Sequence, residues 1–274
     1  MNSTAATTES LRRPEGTIAY DAAGVGPLVV MVPGMGDLRS GYRFLAPKIA
    51  DAGFTAVTTD LRGHGESSPT FSSYGDEDTA ADIIALLEHL GRPAVLVGNS
   101  MAAAASIMVA ARRPELVTGL VLLGPWARNP PNGTAAGRFF FRLMLARPWT
   151  SVVWNAYLPT LYAGTKPVDF AEYRRRLIAS LRRPGYARAF SLTSHTSHAP
   201  AEAALPEVTA PALVIMGEKD PDFPDPAAEA AWLAGMLGAE TVMLPEVGHY
   251  PQSQAPTETA AAVIPFLKQY AANA

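Results

Sequence analysis

The sequence predicts an α/β fold built on a mostly parallel, doubly wound sheet. Short apolar runs, typical of strands buried on both faces, alternate with segments of helical periodicity, as expected for parallel strands joined by helices. Glycine or proline stands at most of the boundaries. The alternation stops after Gly124-Pro125 and resumes at Pro211. This interruption predicts an insertion into one sheet.

The N-terminal half supplies a regular series of elements. Residues 1–15 are small and polar, and we expect a flexible tail there. One predicted helix closes at Gly53, a second has acidic residues in its first turn and ends at Gly91, and an alanine-rich third helix follows Ser100. The predicted strands are "GTIAYDAAG", "PLVVMVPG", "FTAVTTD", "AVLVGN" and "LVTGLVLLGP".

Residues 126–205 contain no run typical of a buried strand, and they hold three of the four tryptophans. We expect them to form a helical cap inserted into the sheet domain. The strand pattern resumes in "PALVIMGEKD" and continues in "AETVMLPEVGH" before the terminal helix "TETAAAVIPFLKQY". The predicted core domain therefore comprises residues 16–125 and 206–274.

Composition narrows the possible functions. The net charge of −3 shows no excess of the basic residues that favour nucleic-acid binding. The absence of cysteine excludes disulfides, thiolate catalysis and zinc–thiolate sites. The N-terminus lacks the apolar core of a signal peptide, and charged residues interrupt the most apolar stretch, "FFFRLMLARPWTSVVWNAYLP". We expect a cytoplasmic protein that acts on a small molecule and binds neither nucleic acid nor membrane; an oligomer stays possible.

Polar residues and a glycine loop follow four of the predicted strands. Catalytic groups gather at the carboxyl ends of parallel strands. Acyl transfer needs a nucleophile, a base, a carboxylate that orients the base, and donors for the oxyanion. The candidates in chain order are Pro33-Gly34-Met35-Gly36, Ser100, Asp220 and His249.

These segments resemble the α/β-hydrolase superfamily over residues 16–271. The resemblance is carried by "GNSMA" as a nucleophile elbow, "DLRGHGES", "GEKD" and "GHYP", in the family's order. It implies Ser100 as nucleophile, Asp220 as acid and His249 as base. It also implies a cap after the sixth strand and an oxyanion hole formed by the backbone N–H groups of Met35 and Met101.

Two positions depart from the family pattern. Ala102 stands at the last position of G-x-S-x-G, where a small residue lets the helix pack closely beneath a strained turn. Pro33 precedes Gly34 where the family often has histidine, and proline cannot make the hydrogen bonds of that histidine.

Each candidate also has a structural interpretation. Ser100 suits a helix N-cap. Asp222 and Asp225 compete with Asp220 for the role of acid, although both suit a turn or the start of a helix. Three further histidines are expected to be structural or to lie in a surface loop: His64, His195 and His198.

The predicted function is hydrolysis of a small to medium, hydrophobic carboxylic ester or lactone, without metal or organic cofactor. Aromatic residues of the cap suit an enclosed apolar site. Two alternatives stay open: carbon–carbon hydrolysis, since "GNSM" and "LVLLGP" resemble meta-cleavage-product hydrolases, and a non-enzymatic receptor of the same fold. The residues expected to contact substrate are Gly34, Trp126, Trp154 and Tyr250.

Overall fold

The structure, a computed structural model, describes residues 7–130 and 133–271. Eight strands in this part of the chain form one sheet. They are β1 (Thr7–Arg13), β2 (Gly16–Ala23), β3 (Leu28–Val32), β4 (Thr55–Thr59), β5 (Ala94–Asn99), β6 (Val117–Leu123), β7 (Ala212–Gly217) and β8 (Glu240–Leu244). Their order across the sheet is β1-β2-β4-β3-β5-β6-β7-β8.

The helices of the described ranges alternate with these strands, except for a long helical series after β6. None of them is long and apolar enough to cross a membrane. They are α1 (Leu45–Asp51), α2 (Asp76–Leu90), α3 (Met101–Arg112), α4 (Ala135–Met144), α5 (Thr150–Leu161), α6 (Phe170–Leu181), α7 (Tyr186–Thr193), α8 (Ala199–Ala204), α9 (Pro226–Leu237), α10 (Pro251–Gln254) and α11 (Pro256–Tyr270).

The sheet is parallel from β4 to β8 and antiparallel at its N-terminal edge. β1 pairs antiparallel with β2, and β2 with β4. At the centre, Leu28 of β3 lies opposite both Thr55 and Ala94 on its parallel neighbours. All five residues of β3 are buried, because helices cover both faces of the sheet.

Alternate residues of the central strands face opposite layers of helices. Val30 and Leu96 belong to the apolar cluster that includes side chains of α2, α3 and α9. Val29 and Val95 belong to the cluster that includes side chains of α1 and α11. The sheet is therefore doubly wound, as the alternating pattern predicted.

Five helices, α4 to α8, lie in the chain between β6 and β7. Apolar side chains of α5, α6 and α7 form a third cluster, which includes Trp154, Tyr173 and Phe190 and is joined by Tyr250 from the core. The indole Nε1–H of Trp154 donates to Gly36 O at 3.0 Å. The inserted helices therefore contact the loop after β3, at the edge of the sheet where the candidate site residues were predicted.

The prediction of a flexible tail over residues 1–15 was wrong for the described residues. Residues 7–13 form β1, which pairs along its whole length with β2, and Leu11 is buried. An antiparallel edge strand needs apolar residues on one face only, so its composition can be largely polar. Residues 14 and 15 form the turn that follows, and residues 1–6 lie outside the described ranges.

Candidate active site

Ser100 lies in a strained turn between β5 and α3. Its backbone has φ 56° and ψ −125°, a conformation that residues other than glycine rarely adopt. Ser100 occupies the N-cap position of α3, but its side chain makes no capping hydrogen bond, so helix capping does not account for its hydroxyl group. The residue lies in the wall of a cavity, as a strand–turn–helix nucleophile would.

Small residues on both sides of Ser100 permit this turn. A Cβ atom at Gly98 would lie 2.5 Å from Ala102 O, far inside van der Waals contact. The close approach is therefore made by the Cα of Gly98 against the helix backbone. Ala102 itself is fully buried, and its methyl group is accommodated where the family often has glycine.

The loops after β7 and β8 bring Asp220 and His249 together. The Nδ1–H of His249 donates to Asp220 Oδ2 at 2.7 Å, and both side chains are buried. The other carboxylate oxygen, Asp220 Oδ1, accepts from the backbone N–H of Asp222 at 3.0 Å. The carboxylate is thus fixed on both sides, and the imidazole is held with Nε2 directed away from Asp220.

Asn99 connects the loop that carries His249 to the turn that carries Ser100. Its side-chain amide is fully buried and donates to Leu123 O at 2.9 Å and to His249 O at 3.1 Å. Because Ser100 is the next residue, this amide ties the serine turn to the backbone of His249. Sequence reasoning missed this contribution; its one signal was a polar residue at the end of an apolar strand.

Nearby charge raises the pKa of His249. Burial alone would lower it, but the carboxylates of Asp220 and Asp222 outweigh burial and raise the pKa to about 9. Asp222 Oδ2 lies 3.5 Å from His249 Nε2. The imidazole is therefore a stronger base than an ordinary histidine, and it becomes neutral only at alkaline pH.

Gly124, just after β6, lies directly against the Asp220–His249 pair. Its φ is +49°, and a Cβ atom there would lie 3.1 Å from Asp220 Oδ2 and 3.3 Å from His249 Nδ1. The positive φ and the close approach both favour glycine. The sequence marked this residue only as the end of a strand.

The loop after β3 runs beside Ser100. A Cβ atom at Gly34 would lie 2.7 Å from Ser100 Cβ, so glycine lets the loop come this close. Met35 and Met101 both lie in the cavity wall. No acceptor within the described ranges binds the Met35 N–H, and Met101 begins α3, where backbone N–H groups have no intrahelical acceptor. Both N–H groups suit the predicted oxyanion hole.

His64 holds this loop in place. Its Nδ1 lies 2.8 Å from Arg62 O, which can only accept, so Nδ1 carries the proton. Its Nε2 accepts from the backbone N–H of Gly36 at 3.0 Å. Burial lowers the pKa of His64 to about 4, which keeps the ring neutral. The structural role expected for His64 is thus specific: it orients the loop that follows Pro33.

A cavity of about 410 Å³ lies beside Ser100 and His249. Three residues expected to contact substrate, Trp126, Trp154 and Tyr250, lie in its wall. Gly34 is not among the wall residues; the structure places it against Ser100. The other large apolar residues of the wall are Met35, Met101, Phe141, Tyr157 and Leu161.

The comparison with protein families agrees with this arrangement. Residues 29–262 match the Alpha/beta hydrolase family. The chain belongs to that family.

Similar proteins come from several branches of the family. The chain is 28% identical over 256 residues to a probable esterase of Oryza sativa, covering 89% of this chain and 90% of that protein. It is 30% identical over 268 residues to 2-hydroxy-6-oxononadienedioate/2-hydroxy-6-oxononatrienedioate hydrolase 1 of Dechloromonas aromatica, covering 90% and 91%. The solved structure of a bromoperoxidase from Bacillus anthracis superposes with a TM-score of 0.82 at 18% identity, covering 96% and 100%. That likeness concerns the fold.

This α/β-hydrolase places a further carboxylate in the cavity wall. Asp222 Oδ1 accepts from the Tyr157 hydroxyl at 2.8 Å, and Asp222 Oδ2 accepts from Trp126 Nε1–H at 3.2 Å. Asp225, in contrast, caps α9 by accepting from the backbone N–H of Ala228 at 2.9 Å. Neither competitor of Asp220 contacts His249 Nδ1.

Asp220, Asp222 and His249 also offer the chain's candidate metal ligands. Their ligand atoms lie within 4.8 Å of one another, and no other such group occurs among the described residues. Two of the three side chains are already joined by the hydrogen bond between Asp220 Oδ2 and His249 Nδ1. The same atoms can therefore serve acid–base chemistry without an ion.

A second histidine in the cavity wall is also held by a carboxylate. His198 Nδ1–H donates to Asp76 Oδ2 at 2.7 Å, and Thr196 Oγ1 donates to Asp76 Oδ1 at 2.9 Å. The His198 ring lies against Trp126, with 5.5 Å between ring centroids. His198 therefore lies in a loop, as predicted, but its side chain is mostly buried and held by a carboxylate, whereas His195 is exposed.

Proposed function

We propose that this α/β-hydrolase is a serine hydrolase of small to medium, hydrophobic carboxylic esters or lactones. The observation that carries the proposal is Ser100 in its strained turn, beside a buried Asp220–His249 pair and facing a cavity lined by aromatic side chains. These groups supply a nucleophile, a base and a carboxylate that orients the base.

The reaction proceeds through an acyl-enzyme. Neutral His249 takes the hydroxyl proton of Ser100 as the oxygen attacks the substrate carbonyl, and Asp220 stabilises the imidazolium that forms. The N–H groups of Met35 and Met101 bind the developing oxyanion. The carbon–oxygen bond of the ester then breaks, and the leaving oxygen receives the proton from His249. His249 then takes a proton from water, whose oxygen attacks the acyl group; the bond between the acyl carbon and Ser100 Oγ breaks, and His249 returns the proton to that oxygen.

The substrate is bound under a cap formed by residues 126–205. Trp126, Phe141, Trp154 and Tyr157 come from this segment and lie in the cavity wall. Apolar burial contributes roughly 0.8 kcal/mol per methylene, which corresponds to about a fourfold change in kcat/KM. No organic cofactor or metal is needed, because the chain supplies both nucleophile and base.

Carbon–carbon hydrolysis is the second candidate, favoured by the likeness to the dienedioate hydrolase of Dechloromonas aromatica. A dioate carries two carboxylates. In this chain Asp222 lies in the cavity wall, and no lysine or arginine is among the wall residues whose side chains are described. Repulsion from Asp222 therefore disfavours a dicarboxylate, and we rank ester hydrolysis first.

The test is labelling with a fluorophosphonate followed by mass spectrometry, and turnover of p-nitrophenyl esters of increasing acyl length. We expect one adduct, on Ser100, and a kcat/KM that rises over the first few carbons and then levels or falls as the cavity fills. Activity should persist after EDTA treatment. Turnover of a vinylogous keto-acid with poor ester turnover would favour carbon–carbon hydrolysis, and labelling without any turnover would favour a receptor.

A further inference from the structure

Asp222 is a carboxylate that the ester mechanism does not use. It lies in the cavity wall next to Pro221, and Oδ2 is 3.5 Å from His249 Nε2, the atom that must take the proton of Ser100. Its side chain is only 16% exposed. A carboxylate this close to the reacting atoms acts on any charge that the substrate carries.

The neighbours of Asp222 orient its charge without neutralising it. Tyr157 and Trp126 each donate one hydrogen bond, and both donors are uncharged. A carboxylate has about four lone-pair sites, so acceptor capacity is left over. Within the described residues, His249 is the one cationic group within 4 Å of Asp222. When His249 is neutral, as catalysis requires, the charge of Asp222 has no ion-pair partner among those residues.

The rest of the cavity wall suits a positive charge. Trp126, Trp154, Tyr157, Phe141 and Tyr250 present aromatic rings, and the faces of such rings attract cations. No lysine or arginine side chain described by the structure lies in the wall. The wall therefore combines one carboxylate with several aromatic rings.

We propose that Asp222 makes the cavity charge-selective, favouring esters that carry a positively charged nitrogen near the scissile bond and disfavouring esters that carry a carboxylate. The inference rests on the proposed ester hydrolysis and names its substrate class more narrowly. A unit charge a few ångströms away in a partly desolvated site changes kcat/KM by about tenfold.

The experiment uses three esters of the same acid and nearly the same shape. The first ester has a quaternary ammonium group in the alcohol, and the second is its neutral isostere with carbon in place of nitrogen. The third is the neutral isostere with a carboxylate in place of one of its methyl groups. At one fixed alkaline pH, we expect kcat/KM to fall about tenfold from the cation to the neutral ester and again to the anion. Asp222→Asn should compress this hundredfold range to about tenfold or less.

Asp225→Asn is the matched control, because it makes the same chemical change three positions along the chain at the cap of α9, outside the cavity wall. It should leave the ranking unchanged. If Asp222→Asn moves the pH profile of all three esters equally and preserves their ranking, Asp222 acts only through His249 and the inference is wrong. An anionic ester preferred by the unaltered protein would overturn it directly.

A binding measurement tests charge selectivity independently of the proposed ester hydrolysis. In the Ser100→Ala variant, calorimetry measures the dissociation constants of the same esters without turnover. The cation should bind about tenfold more tightly than its neutral isostere, and adding Asp222→Asn should remove the difference. That result would support charge selectivity even if the protein hydrolysed none of the esters, whereas equal binding of all three would reject it.

Discussion

Two histidine–carboxylate pairs face the same cavity and differ in what surrounds them. In both, Nδ1–H donates to an aspartate oxygen at 2.7 Å: His249 to Asp220, and His198 to Asp76. The first pair joins two loops at the carboxyl edge of the sheet. The second joins the loop before α8 to the first turn of α2, and so connects the inserted helices to the core.

The difference shows that an aspartate–histidine hydrogen bond does not by itself define a catalytic base. The backbone of His249 accepts from Asn99, the residue before Ser100, so the ring is fixed relative to the strained turn. His198 lies against the indole of Trp126. We infer that His249 deprotonates Ser100, whereas the Asp76–His198 pair shapes the cavity and holds the insert.

The largest effect should come from Ser100→Ala. This substitution removes the hydroxyl group that the His249 pair is proposed to deprotonate and that the His198 pair does not act on. Because nucleophile and base act as a unit, we expect kcat for a p-nitrophenyl ester to fall by about 10³-fold or more. The thermal unfolding midpoint should change little, since a hydroxyl is replaced by a hydrogen. Near-normal turnover would mean that another residue is the nucleophile.

Replacing each aspartate by asparagine compares the two pairs directly. Asp220→Asn should lower kcat by about 10³-fold or more, because the orienting carboxylate and its charge are lost. Asp76→Asn should leave kcat within about tenfold, with its effect mainly on KM through the cavity wall. Circular dichroism of both variants checks that the fold is kept. Equal losses of kcat would show that His198 also takes part in proton transfer.

The pH dependence of kcat/KM tests whether His249 is the base. The pKa of His249 is raised to about 9, and only neutral His249 accepts the proton of Ser100. The rate should therefore rise by roughly fiftyfold between pH 7 and pH 9, and it should level off above pH 9. A histidine with an ordinary pKa would instead give a limb near pH 6 to 7. A limb at that lower value would indicate that the charges of Asp220 and Asp222 do not outweigh the effect of burial on the base.

The core could be predicted from the sequence because its signals are local. Ser100, Asp220 and His249 each follow a strand whose apolar run is visible, and parallel strands bring their carboxyl ends to one edge. The sequence also marked the break after Gly124-Pro125, where the helical series α4–α8 begins.

Other contributions depend on contacts between distant residues and left no local pattern. His198 and Asp76 are 122 residues apart in the chain, and Asp222 is 65 residues from Tyr157 and 96 from Trp126. The strand β1 was missed because its partner, and not its own composition, makes it a strand. Asp225 gave a correct N-cap prediction because that signal lies within one helical turn.

The smallest effect is expected for Gly124→Ala, with Gly91→Ala as its control. Comparison of the two variants separates crowding at the Asp220–His249 pair from backbone strain. Both glycines have positive φ, +49° and +67°, but a Cβ atom at Gly91 meets nothing within 4 Å, whereas one at Gly124 lies 3.1 Å from Asp220 Oδ2. Each substitution should cost about 1 kcal/mol of unfolding free energy from the backbone conformation. The Gly124 variant alone should also lose activity, by about tenfold, because the added methyl group displaces the pair by a few tenths of an ångström. Urea unfolding and kcat measured on both variants decide the matter. Full activity in Gly124→Ala would show that the Asp220–His249 pair tolerates movement, and that its contrast with the His198 pair lies in electrostatics rather than in rigid placement.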